Sequence, residues 1–253
     1  MVDFEISSPV VLNLRDYRRP LVGGQKINGC TLGLVGDRQG TRGFITNSHC
    51  SSQVCVQDGT AYYQPSSPPS SNLAGLETVD PPCNPGGTGA CPSGRLCRDS
   101  ESSFAVVAGG VSSTRGQIAR PPLGSYNWNG TDVFGVAGEQ SNILVNDPVT
   151  KVGQGSGRKA GKVTATCIDV NFTQNGLNYT IFCQHRADYF SAGGDSGSPV
   201  FRIVNWPSQN DVTVYGMHWA NNGSTTSYFS SIGRIQFSQE LGPIGFCAYG
   251  LSC

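Results

Sequence analysis

Short apolar runs of strand length recur along this chain, and glycine, proline or asparagine closes almost every one. Thr31–Val35, Gly43–Thr46, Phe104–Val107, Ile143–Val145, Ser198–Val204 and Val212–Tyr215 are examples, all rich in β-branched or aromatic residues. Such runs pack well on a pleated surface and poorly on a helix. Helical periodicity is scarce; Ile232–Leu241 is its best instance and is expected to form a short C-terminal helix. With 34 Gly, 15 Pro and only 13% charged residues, the composition is that of a turn-rich, all-β protein. The 253 residues suffice for one large or two small cores. Residues 1–20 read as an N-terminal arm, and 64–94, 112–130 and 205–211 as loops. The 64–94 stretch is long for an unstructured connection and holds two cysteines, so disulfides are expected to pin it.

There are ten cysteines, at 30, 50, 55, 83, 91, 97, 167, 183, 247 and 253. An even number in a turn-rich chain, with no Cys-x-x-Cys pair to favour zinc, points to up to five disulfides and an oxidising compartment. The expected pairs include Cys167–Cys183 across a hairpin, and Cys247–Cys253; Cys55, Cys83, Cys91 and Cys97 allow three arrangements. Asn129, Asn171, Asn178 and Asn222 head glycosylation sequons that matter only if a eukaryote secretes the protein. No apolar run is long enough to span a membrane. Lys+Arg and Asp+Glu balance at 17 each, so no basic face argues for nucleic acid. A secreted, extracellular monomer is expected, its signal segment belonging to a precursor.

Gly193-Gly-Asp-Ser-Gly-Ser-Pro199 carries the chemistry. Glycines on both sides of Ser196 permit a tight turn that exposes the hydroxyl. They also let the N–H groups of Gly194 and Ser196 converge, as an oxyanion hole requires. The plain alternative is a Gly/Ser turn between strands. A serine hydroxyl needs an adjacent base at neutral pH, and histidine suits. Of three histidines, His49 ends the apolar run Phe44-Ile-Thr-Asn-Ser-His-Cys50; His185, between Cys183 and Arg186, reads as a surface residue.

Together these motifs resemble chymotrypsin-like serine endopeptidases, the bacterial α-lytic type especially. Residues 30–50 are similar to that family's first-barrel segment, and Val152-Gly-Gln-Gly-Ser-Gly-Arg-Lys-Ala-Gly-Lys-Val163 to the opening of its second. The resemblance implies two six-stranded antiparallel β-barrels with a short C-terminal helix. The first would cover 21–122 and the second 123–253, with a site between them and a Cys30–Cys50 disulfide. It implies protein or peptide substrates and no metal or organic cofactor. His49 would be the base and Ser196 the nucleophile.

The family's acid is an Asp three residues before an apolar strand residue. Here Glu101 stands three before Phe104, with Asp99 as the fallback. Val214-Tyr-Gly-Met-His-Trp219 resembles the Gly-Ile-His-Trp segment of glutamyl endopeptidases. That places His218, with the Ser191 hydroxyl, in a pocket for an acidic side chain, and Phe190 in its wall. Other primary specificities remain open at this stage. Leu21-Val-Gly-Gly24 resembles the start of cleavage-activated proteases, whose new amine pairs with the residue matching Asp195; Arg19-Pro-Leu is a poor cleavage site, so a different partner for Asp195 is expected. The non-standard acid keeps two rivals open: a protease-fold binding module without catalysis, and an esterase using the same triad.

Overall fold

The computed structural model describes residues 12–87, 89–204, 210–223 and 225–248. The second half is a closed ring of six strands. Pro148–Gly153 pairs with Gly157–Gln174, which pairs with Leu177–Ala187; then come Ser227–Ser231, Asp211–Asn221 and Pro199–Val204, which returns to Pro148–Gly153. All six pairings are antiparallel, so the ring leaves no open edge. Its longest hairpin runs well beyond the ring and turns at Asn175-Gly176, with φ of 51° and 77°. Two successive left-handed residues are what a two-residue turn of this hand requires.

The first half is a five-stranded sheet in the order Val35–Arg38, Thr41–Thr46, Ser103–Val107, Leu73–Val79, Ala61–Tyr63. A small hairpin, Lys26–Ile27 with Cys30–Thr31, closes it in place of a regular sixth strand. Asn28 stitches that hairpin to Ala61 and Tyr63 through backbone and side-chain bonds of 2.9–3.2 Å. The architecture is the chymotrypsin-like double barrel.

Each half has its own apolar centre. Leu32, Val35, Phe44, Tyr62 and Ala105 fill the first; Val149, Val163, Tyr189, Val200 and Phe229 fill the second. A third cluster joins them. Leu34, Ile45 and Phe104 from the first half meet Phe134, Val152, Phe201 and Met217 from the second. Burying these shared side chains, at about 1.5–3 kcal/mol each, fixes the two halves as one body and sets the geometry between them.

Some local expectations change. Ser113–Ala119 is a strand within the 112–130 stretch; its Ile118 and Ala119 are fully buried although Ser113-Thr-Arg-Gly-Gln117 reads as polar. Leu73–Val79, inside 64–94, is a central strand. Ile143–Val145 is not a strand, and the C-terminal helix is the single turn Ile232–Ile235, its N-terminus capped by Ser231. Cys30–Cys50 and Cys167–Cys183 are bonded, and the open set resolves as Cys55–Cys83 and Cys91–Cys97, which do pin the long connection. Cys247 is also disulfide-bonded; Cys253, its expected partner, and residues 205–209 lie outside the described residues. No helix among the described residues is long and apolar enough to cross a membrane.

Candidate active site

His49 sits in a 3-10 turn, Ser48–Cys50, just past the buried end of Thr41–Thr46. The Cys30–Cys50 bond ties that turn to the small hairpin. Glu101 precedes strand Ser103–Val107 and is 2% exposed. One of its oxygens accepts the His49 backbone N–H at 2.9 Å, and the other lies 3.0 Å from the ring Nδ1. A carboxylate can only accept, so Nδ1 carries the proton and Nε2 keeps its lone pair. Burial pulls the His49 pKa down, but the charge and hydrogen bond of Glu101 outweigh it and hold the group above its ordinary value. Asp99 is engaged elsewhere: its carboxylate pairs with Arg234 and its carbonyl accepts from Gln184 Nε2.

Ser196 reaches this neighbourhood through its backbone. Thr31 N–H donates to the Ser196 carbonyl at 2.8 Å. The next residue, Gly197, has φ of 91°, and a Cβ there would lie 2.1 Å from the Thr31 carbonyl and 2.7 Å from Thr46 Oγ1. Thr46 ends the strand that leads into His49. Glycine is thus what lets the serine turn lie against the strand of the base. Among the described residues no hydrogen bond joins Ser196 Oγ to His49; in free enzymes such contacts are often long and tighten around substrate.

Gly194 has φ of 92°. The Gly193 carbonyl faces Gly155, where a Cβ would stand 2.6 Å from it. Peptide planarity then turns the Gly194 N–H the opposite way. Among the described residues neither that N–H nor the Ser196 N–H is spent on another protein group. Backbone donors in folded proteins are rarely left without a partner.

Asp195, fully buried, anchors this turn. Its oxygens accept the N–H groups of Ala192, Gly155 and Ser156 at 2.9–3.1 Å, the Ser156 hydroxyl at 2.6 Å, and Lys151 Nζ at 2.5 Å. Burial lowers Lys151 to about 8 even with Asp195 beside it. Lys151 is therefore the cation of Asp195. Leu21–Gly23 is a buried strand with the Leu21 N–H bonded to Ser112, so its likeness to an activation terminus is only a likeness of sequence.

His218 is 2% exposed, with Nδ1 3.2 Å from the Tyr189 hydroxyl. Burial, aided by the charge of Lys151, drives its pKa down to about 3, while burial raises that of Tyr189. A protonated phenol can donate to Nδ1, which puts the ring proton on Nε2, where the Tyr228 backbone carbonyl accepts it. Ser191 Oγ is 2.7 Å from Ser227 Oγ, and Ser227 donates to the Tyr189 carbonyl. Phe190 is 43% exposed, with Lys159 Nζ 5.5 Å from its ring centre. His185 corrects the surface expectation: it is 6% exposed and stacks on Phe229. Cys30, His49 and Cys50 cluster tightly enough for a metal, but both sulfurs are in the disulfide and cannot ligate.

Lys151, Ser156, Gln184 and Ser230 were not singled out by sequence reasoning. Ser230 Oγ accepts the Glu101 N–H at 3.2 Å and donates to Gln184 Oε1 at 2.7 Å. The one available signal was a lysine amid apolar neighbours, in Val149-Thr-Lys-Val152.

Fold and site together define a double-barrel scaffold with a carboxylate–imidazole pair beside a glycine-flanked serine. Protease A of Thermobifida fusca shares this fold at a TM-score of 0.58 and 16% identity, over 90% of this chain and 98% of that one. A glutamic-acid-specific serine protease described as using a histidine triad in substrate binding aligns at 0.58 and 18%, over 84% of this chain and 94% of that one. An alpha-lytic protease homolog, N4, aligns at 0.57 and 18%, over 84% and 93%. No protein-family model matches the chain, and no curated protein matches it in sequence.

Proposed function

We propose that this chain is a secreted serine endopeptidase working through an acyl-enzyme on Ser196. The observation that carries the reading is the two-point grip of Glu101 on His49, which leaves the Nε2 lone pair as the base. Ser196 Oγ attacks the peptide carbonyl as His49 Nε2 takes its proton. The N–H groups of Gly194 and Ser196 receive the oxyanion, and the imidazolium is balanced by Glu101. His49 then protonates the departing amine, and water repeats the cycle on the ester. The similar structures are serine proteases, which favours peptides as substrates, and the disulfides accord with an oxidising exterior. The decisive assay is a fluorophosphonate probe. Stoichiometric labelling of native protein, lost in Ser196→Ala, is expected; unlabelled native protein points to the binding-module alternative.

The finer part of the reading is a preference for glutamate before the cut. His218 Nε2–H and the Ser191 hydroxyl are the donors for its carboxylate once it displaces their present acceptors, the Tyr228 carbonyl and Ser227 Oγ, and the bound carboxylate would draw the His218 pKa back up. The glutamic-acid-specific structural neighbour favours this too. Digestion of a proteome-derived peptide library reads it directly; cuts after large apolar or basic residues would discard it. The enzyme acts as a monomer, which sedimentation checks.

A further inference from the structure

The loop that carries Glu101 is rich in serine and has no large apolar side chain of its own between Arg98 and Phe104. Buried charges hold it instead. Arg98, 2% exposed, donates to Asp80 Oδ1 at 2.7 Å, to Glu240 Oε2 at 2.9 Å and to the Ser102 carbonyl at 2.6 Å. Glu240 comes from the far end of the chain. It also accepts the N–H groups of Asp99 and Ser100, at 2.9 and 3.2 Å, and the Ser100 hydroxyl at 2.9 Å. The second oxygen of Asp80 accepts the hydroxyl of Ser48, the residue before the base, at 2.7 Å. A connected path therefore runs from the His49 turn through Asp80, Arg98 and Glu240 around the Glu101 loop, and it crosses between the two halves of the fold.

We propose that Arg98 and Glu240 are positioning residues of the reaction: they hold the Glu101 carboxylate against His49 and set the charge against which the imidazolium forms. This deepens the serine-protease reading and rests on it. The charged groups around them are Asp80, Glu101 and His49, with Glu77 feeling the charge of Asp80, Tyr179 that of Glu101, and Asp99 and Arg234 paired beside them. Burial raises Asp80 to about 6 in spite of Arg98, so Asp80 is ionised at neutral pH. Arg98 thus lies between two carboxyl groups, those of Asp80 and Glu240.

Glu240→Gln and Arg98→Lys separate charge from geometry. A glutamine keeps a carbonyl oxygen for the Asp99 and Ser100 N–H groups, removes the charge, and turns its NH₂ toward Arg98, which then keeps Asp80 and the Ser102 carbonyl as acceptors. A lost negative charge disfavours the imidazolium, so the acidic limb of the kcat/KM profile moves to lower pH. The shift is about one unit for a charge about 10 Å away at an effective dielectric constant near 20. Arg98→Lys keeps the charge and loses the fork, so the limb stays while kcat falls about tenfold with KM unchanged. Peptide-substrate kinetics across pH, alongside thermal melts and fluorophosphonate labelling, are the readouts. Variants that label and melt cooperatively with wild-type kcat and limb overturn the inference. Variants that only melt earlier, with kcat and limb per labelled site unchanged, overturn it as well, since the network is then merely structural. Wild-type protein that does not label sinks the protease reading instead.

Discussion

Replacing Glu101 by glutamine keeps the shape of the side chain and removes what the site needs from it. Glu101 makes two acceptor contacts to one residue, to the His49 N–H at 2.9 Å and to Nδ1 at 3.0 Å. An amide has one acceptor oxygen and one donor nitrogen. With the oxygen on the backbone N–H, the NH₂ faces Nδ1. The ring must then carry its proton on Nε2, and the lone pair that the proposed mechanism needs as its base disappears. A comparable tautomer error in a serine–histidine–aspartate site costs about 10⁴ in kcat, or about 5.4 kcal/mol of barrier at roughly 1.36 kcal/mol per decade. The pH profile gives an independent sign. His49 is held above its ordinary pKa because Glu101 outweighs burial; without that carboxylate burial acts alone and the pKa falls. A base works unprotonated, so the acidic limb of kcat/KM moves to lower pH, by about 1–3 units for the loss of a touching opposite charge. Peptide hydrolysis from pH 4 to 9, with enzyme titrated by fluorophosphonate, measures both. Asp99→Asn, whose side chain serves Arg234, should not cost kcat orders of magnitude. A Glu101→Gln enzyme within tenfold of wild type and with the limb in place would refute the assignment.

Three further outcomes are expected. Lys151→Met strands Asp195 as a buried charge, which should cost about 3–5 kcal/mol in urea unfolding and, by loosening the oxyanion turn, about 10²–10³ in kcat. Burial lowers Lys151 to about 8; deprotonation above that pH takes the cation from Asp195, so activity should decline on the alkaline side, and a profile flat to pH 10 would count against this. Gly197→Ala places a Cβ 2.1 Å from a backbone oxygen at a φ of 91°, so a loss of more than about 2 kcal/mol in thermal melts is expected, together with loss of labelling. Removing the Cys30–Cys50 bond as a double serine variant should cost about 3 kcal/mol for a separation of 20 residues, read by denaturant titration under non-reducing conditions.

What could be read from the chain was what is local in it. Gly193-Gly-Asp-Ser-Gly is legible because a tight turn needs its glycines next to the serine, and Gly197 does adopt a φ of 91°. Alternating β-branched runs and even cysteines announced an all-β, disulfide-bonded fold for the same reason, since each is a property of neighbouring residues. Where local composition misled, a partner elsewhere decided. Ser113–Ala119 looks like a loop but becomes a strand because Leu21–Gly23 and Val133–Glu139 flank it. Ile143–Val145 looks like a strand but forms no ladder with any strand among the described residues. His185, between two polar residues, is drawn inward against Phe229.

The glutamate that grips His49 could be placed by its spacing to Phe104, yet spacing alone left Asp99 as a rival. Only the folded chain, by giving Asp99 to Arg234, separates them. The pairing of Lys151 with Asp195, and of Arg98 with Asp80 and Glu240, has no sequence signature, even though a lysine amid apolar neighbours hints that Lys151 is buried. A buried ion pair follows no period and has no fixed separation. Its two members are matched only when packing removes both from water and leaves each no other partner.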